Sequence, residues 1–123
     1  MANTNNSITL TAGAGFSQLF DNTNGVTVPA AGSPIGNASP YPSVINVSGV
    51  TSPGKLTVKI NGFTHAYPNE VDIFLVSPSG KVCAVLSDTG SGAASNLNLA
   101  FEDEAINTAP SSAALTSTTY RLS

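Results

Sequence analysis

Six of the seven acidic residues, Glu70, Asp72, Asp88, Glu102, Asp103 and Glu104, fall between positions 70 and 104, where Lys81 is the only base. Six carboxylates against one ammonium leave that window at −5, although the whole chain carries −3. Carboxylates gathered at strand ends repel one another unless a cation or water separates them. A Ca²⁺ ion takes about six to eight oxygens from carboxylates, amides and backbone carbonyls. Asp72, Asp88 and Asp103 stand beside predicted strand ends and are the candidate ligands of a structural Ca²⁺. The alternative is a solvated acidic edge with no metal.

The chain has one His and one Cys, too few for a four-ligand zinc site, and a single Cys makes no intramolecular disulfide. His65 has two readings. As a general base it would work beside Asp72 or Glu70. As a structural residue its ring would bridge a backbone carbonyl and a carboxylate and pin its loop. With no Gly-x-Ser-x-Gly elbow and no second His, a Ser/His/Asp triad has no support, and the structural reading is preferred. Cys83, between Val82 and Ala84 in a predicted strand, reads as a small core residue rather than an activated thiolate. Gly90-Ser91-Gly92-Ala93-Ala94-Ser95 lacks the Lys and the following helix of a phosphate loop. The sequons at Asn5, Asn37 and Asn46 are acceptors for glycosylation only in a eukaryotic secretory path. No catalytic residue and no cofactor site other than the Ca²⁺ candidate is expected.

These residues must be positioned by strands. Ser7-Ile8-Thr9-Leu10-Thr11 alternates polar and apolar. Gly13 and Gly15 break it, and Phe16 to Phe20 forms an apolar cluster. Asp21-Asn22-Thr23-Asn24-Gly25 reads as a turn, because Asn and Gly accept positive φ at little cost. Pro29 to Pro42 is a Pro- and Gly-punctuated loop. Ser43 to Ser48 is predicted as a strand closed by Gly49. Lys55 to Asn61 alternates strictly, with Leu56, Val58 and Ile60 facing a core and Gly62 ending the strand. Val71 to Val76 is apolar on both faces and is predicted to be a central strand. Ser77-Pro78-Ser79-Gly80 is a turn leading into the partner strand Lys81 to Ser87. Asn96 to Phe101 alternates again, with Leu97, Leu99 and Phe101 inward.

Ser, Thr and Asn supply 41 of 123 residues, and only 9% of the chain is charged. Low charge with 41% hydrophobic residues is the opposite of a disordered composition. No apolar run reaches the ~18 residues needed to cross a bilayer as a helix. Four basic residues cannot build a phosphate-tracking surface, so neither nucleic acid nor membrane is an expected partner. Good helix formers other than Ala are scarce, while Val, Ile and Thr together count 29, which argues for an all-β domain. The N-terminus lacks the basic start and apolar stretch of a secretory leader, so the chain stays inside the cell or is a mature or excised piece. Its composition is common among bacterial surface and secreted proteins, and a secreted or cell-surface location is expected.

From residue 41 to about 121 these elements carry an ordered set of motifs. They are Tyr41-Pro42-Ser43, the run Asn61-Gly62-Phe63-Thr64-His65-Ala66-Tyr67-Pro68-Asn69-Glu70-Val71-Asp72 through Ser77-Pro78-Ser79-Gly80, then Leu86-Ser87-Asp88-Thr89-Gly90, Leu97 to Ala105, and Leu115 to Arg121. In this order they resemble the P domain (homo B) of subtilisin-like proprotein convertases, in particular the bacterial P-domain-like modules of secreted peptidases and large surface proteins. Glu70 stands where the family usually has Asp. The family continues with a Gly-x-Trp-x-Leu strand, a loop and a last strand; this sequence has no Trp and stops at Ser123, so its C-terminal end is expected to be incomplete.

The resemblance implies a single jelly-roll-like β-sandwich over 1–123, related to galactose-binding domains, in which 1–41 supplies an N-terminal strand and loop. It implies a non-catalytic accessory module that stabilises or docks to a neighbouring domain, such as a subtilisin-like serine endopeptidase domain. Two alternatives remain. One is a carbohydrate- or surface-binding module with Tyr41, Phe63 and Tyr67 as platform. The other is a self-assembling surface or fibre subunit, whose copies meet through exposed strand edges. An edge left open at the C-terminal side would be covered by Leu115–Ser123, by Ser7–Thr11 of another copy, or by strands outside this sequence.

Overall fold

The computed structural model describes residues 2–12, 17–30, 36–50 and 53–122. The roles read for Gly13, Gly15, Phe16 and the middle of the Pro29–Pro42 loop lie outside these residues. Among them the chain is all-β: strands β1 (Ala2–Ala12), β2 (Ser17–Val28), β3 (Pro53–His65), β4 (Ile73–Val76), β5 (Val82–Leu86), β6 (Ala94–Glu102) and β7 (Thr119–Arg121), with one 3₁₀ turn at Pro68–Glu70. A five-stranded sheet has the order β2-β1-β3-β6-β7, and β4 and β5 form a separate hairpin. The named strands pair antiparallel except β6 with β7, and the isolated bridge of Thr108 with Arg121 is parallel as well.

Both sheets feed one core. Val58, Ile60 and Phe63 of β3, Leu99 and Phe101 of β6 and Tyr120 of β7 cluster with Val85 and Leu86 of β5, Val71 and Leu115. Leu56, Ile73, Leu75 and Leu97 pack against this cluster, half-buried. Every residue that alternation placed inward therefore lies in the core or against it. Each aliphatic or aromatic side chain fully withdrawn from water contributes about 1.5–3 kcal/mol.

Four local expectations differ from the structure. Asp21–Gly25 does not reverse the chain. It is a bulge inside β2, where Thr4 pairs Val26 and Asn6 pairs Asn22, so extra β2 residues are accommodated; the Asn24 N–H donates to Asn22 Oδ1 at 3.0 Å. Asn and Gly signal an irregular backbone, and that signal does not distinguish a turn from a bulge. Gly62 does not end β3. The strand runs on to His65 across a register shift between Ile60 and Phe63, with Gly62 at φ 75°. Ser43–Ser48 is irregular rather than a strand; Asn22 Nδ2 donates to the Val44 carbonyl at 2.9 Å. Finally, among the described residues β4 is an edge strand paired only with β5, and its outer-facing Phe74 and Val76 are exposed. Its apolarity on both faces thus does not signify burial on both.

The hairpin turn follows its sequence closely. Gly80 N–H donates to Ser77 O at 2.9 Å, Ser77 N–H donates to Lys81 O at 2.9 Å, and Gly80 has φ 88°. A short hairpin loop closed by a left-handed residue matches the twist of the flanking strands, and glycine adopts that conformation without a Cβ penalty.

The C-terminal segment docks on β6. Ala100 to Glu102 pair with Thr119 to Arg121. Arg121 N–H donates to Asn107 O, Leu122 N–H to Glu102 O, and Arg121 Nε–H to Ala105 O at 3.0 Å. The Tyr120 ring lies 6.2 Å from that of Phe101, and its hydroxyl accepts the Thr116 N–H at 3.0 Å. β1 pairs on both sides with strands of its own chain, β2 and β3.

Candidate functional site

His65 sits at the end of β3, 5% exposed. Its Nε2 lies 2.9 Å from the Pro29 carbonyl, and its Nδ1 takes the Tyr67 N–H at 3.1 Å. The tautomer that satisfies both carries its proton on Nε2, leaving the Nδ1 lone pair as acceptor. The Tyr67 carbonyl, 3.0 Å from Nδ1, is not bonded in that state. The ring therefore pins the 65–67 loop to the end of β2, as the structural reading required. The second partner is a backbone amide, not a carboxylate. Both ring nitrogens thus meet backbone groups, and the ring is buried.

The three candidate metal ligands are not gathered together. Ser87 Oγ lies 2.9 Å from Asp72 Oδ1 and 3.3 Å from Asp88 Oδ2, so Asp72 and Asp88 meet at one hydroxyl, where β4 begins and β5 ends. Asp103 lies in the turn after β6. Among the described residues no group of three or more His, Cys, Asp or Glu side chains is placed to hold a metal ion. Two carboxylates and a hydroxyl fall well short of the oxygens a Ca²⁺ site uses. Two of the remaining three acidic residues, Glu102 and Glu104, are offset by a base from outside their window. Lys55 Nζ lies 3.3 Å from Glu102 Oε1 and 4.0 Å from Glu104 Oε2, while Thr57 Oγ1 donates to Glu102 Oε2 at 3.2 Å. Lys55 is forty-seven residues before Glu102, and only the β3–β6 pairing makes them neighbours.

The remaining candidates separate by burial. Phe63 is fully buried and cannot serve as a binding platform, because the inward face of β3 continues through the bulge; Tyr41 and Tyr67 are exposed. Cys83 is half-buried, with Sγ 3.6 Å from the Ala84 carbonyl. An open polar depression of about 320 Å³ is lined by Asp21, Asn22, Thr23, Asn24, Val44 and Asn46; it follows from the β2 bulge. Among the described residues no helix is long and apolar enough to cross a membrane.

The feature that sequence reading missed is the outer face of the hairpin. Phe74, Val76 and Val82 are 54%, 60% and 62% exposed. Val76 faces Val82 across the ladder and Phe74 faces Ala84, so they form one apolar surface. Treating Val71–Val76 as a central strand concealed it. Comparison of the chain with family models, with curated proteins and with solved structures gives no match.

Proposed function

We propose that the chain is a non-catalytic accessory module of an exported protein, a P-domain-like jelly-roll sandwich that packs against a neighbouring domain. The observation that carries this is the exposed apolar surface of Phe74, Val76 and Val82 on a hairpin anchored from below by Val85 and Leu86. A rigid apolar face backed by a core is suited to docking another folded surface. The ordered motifs from Tyr41 to Arg121 support the same reading, as does the structural use of His65. A subtilisin-like peptidase domain is the neighbour that the resemblance implies, and it places the module outside the cell.

The test uses the parent polypeptide. Phe74→Ser with Val82→Ser should lower the melting temperature of the neighbouring domain in the full chain, while the isolated module melts as before. The isolated module should hydrolyse no peptide. An unchanged neighbouring domain, or peptidase activity of the isolated chain abolished by His65→Ala, would overturn the proposal.

A further inference from the structure

The hairpin has a second unfilled surface, the edge of β5. Among the described residues β5 is paired with β4 alone. Ser77 directs its N–H to the Lys81 carbonyl, while the Lys81 N–H donates to Ser77 Oγ; residues that direct their backbone groups toward the partner strand alternate along an antiparallel ladder. Leu75 and Cys83 therefore bond each other, while Val82 and Ala84, opposite Val76 and Phe74, direct their N–H and C=O away from β4. Among the described residues no backbone group pairs with them. Only the weak Cys83 Sγ contact reaches the Ala84 carbonyl.

The two ends of this edge carry opposite charge. Lys81 precedes β5, is exposed, and makes no ion pair among the described residues. At the other end Ser87 collects Asp72 and Asp88, and no base among the described residues pairs with either. A strand that is positive at its start and negative at its end is self-complementary when laid antiparallel on a copy of itself. A two-fold interface requires that property.

We propose that a second copy of this chain pairs antiparallel along β5, about a two-fold axis at Cys83. Val82 of each copy then faces Ala84 of the other, and each pair exchanges its outward N–H and C=O. Lys81 falls opposite Val85, the extra residue where the β4–β5 register shifts; Ser87 follows two residues on, at most about 7 Å away, within the reach of a lysine side chain toward Asp72 and Asp88. The two hairpins become one sheet in the order β4-β5-β5-β4, and their Phe74, Val76 and Val82 surfaces join. The pairing uses the edge rather than the outer face, so it goes beyond the docking role, and the two proposals fail separately.

Sedimentation of the whole chain over a range of concentrations tests the pairing. A dimer that dissociates on dilution and weakens with salt is expected. Val82→Pro deletes an outward N–H that bonds nothing in its own chain and is tolerated at a strand edge. It should give a monomer whose melting at low concentration matches the unsubstituted chain. Lys81→Glu should weaken association about tenfold, and adding Asp72→Lys should restore it. Facing Cys83 residues lie within disulfide range, so diamide, which oxidises two thiols to one disulfide, should cross-link the dimer and leave Val82→Pro mostly uncoupled. A monomer at every concentration overturns the proposal. So does a dimer indifferent to both Val82→Pro and Lys81→Glu. Stronger association of Lys81→Glu also overturns it, since Lys81 would then be guarding the edge against pairing.

Discussion

His65 Nε2 and the Pro29 carbonyl oxygen lie 2.9 Å apart although thirty-six residues separate them in the chain. This contact joins the end of β3 to the end of β2, two strands that do not pair with each other because β1 lies between them. The single histidine is thus a clasp across the five-stranded sheet.

Replacing His65 with Ala removes both ring hydrogen bonds and opens a cavity at a buried position. A loss of about 2–4 kcal/mol is expected, read as a lower denaturation midpoint with an unchanged slope. Glutamine, which keeps a donor and an acceptor, should recover part of it. A midpoint within experimental error of the unsubstituted chain would remove the clasp role.

Leu99 and Ile73 separate a filled core position from a partly covered one. Leu99 is 1% exposed and sits in the cluster, whereas Ile73 packs against its border. Leu99→Ala should cost about 3–5 kcal/mol and Ile73→Ala nearer 2 kcal/mol. Equal losses in chemical denaturation would mean that the hairpin is as firmly packed as the β3–β6 pair.

Gly90 follows β5 at φ 93°, and a Cβ there would lie 3.0 Å from Pro68 Cβ and 3.1 Å from Leu115 Cγ. Its N–H donates to the Pro110 carbonyl at 2.7 Å. Gly90→Ala adds backbone strain to a collision with two buried residues, and a loss of more than about 2 kcal/mol is expected. Gly92, also at positive φ but with open space around its Cβ position, is the control. Gly92→Ala should cost only about 1 kcal/mol. Similar melting temperatures for the two variants would show that the Pro68–Leu115 contact gives way.

Of the three candidate metal ligands, Asp72 and Asp88 are the two that the fold brings to one hydroxyl. Melting in millimolar Ca²⁺ and in chelator should coincide, because two carboxylates without Asp103 leave the ion mostly hydrated. An increase with Ca²⁺, reversed by chelator and lost in Asp88→Asn, would restore the metal site. Asp72→Asn alone should change stability by no more than about 1 kcal/mol, as for an exposed polar contact.

The all-β class and the inward rows were legible in the sequence. Leu56, Val58 and Ile60 alternate with polar residues, as do Leu97, Leu99 and Phe101, and side-chain period two is a local property of a strand. The Ser77–Gly80 turn was legible for the same reason, since a left-handed glycine after a Pro-initiated turn acts within four residues. What tertiary structure decided is partnership. Val71–Val76 carries apolar residues on both faces whether it lies in the middle of a sheet or at an edge; among the described residues β4 pairs with β5 alone, and Phe74 and Val76 stand in water. The acidic window has a strong net charge by count. Lys55 reaches Glu102 and Glu104 only through the β3–β6 register, and Asp72 reaches Asp88 only through Ser87. Composition determines how much charge must be accommodated; the pairing of strands far apart in sequence determines which charges meet, because Coulomb energy and hydrogen bonding depend on distance in space.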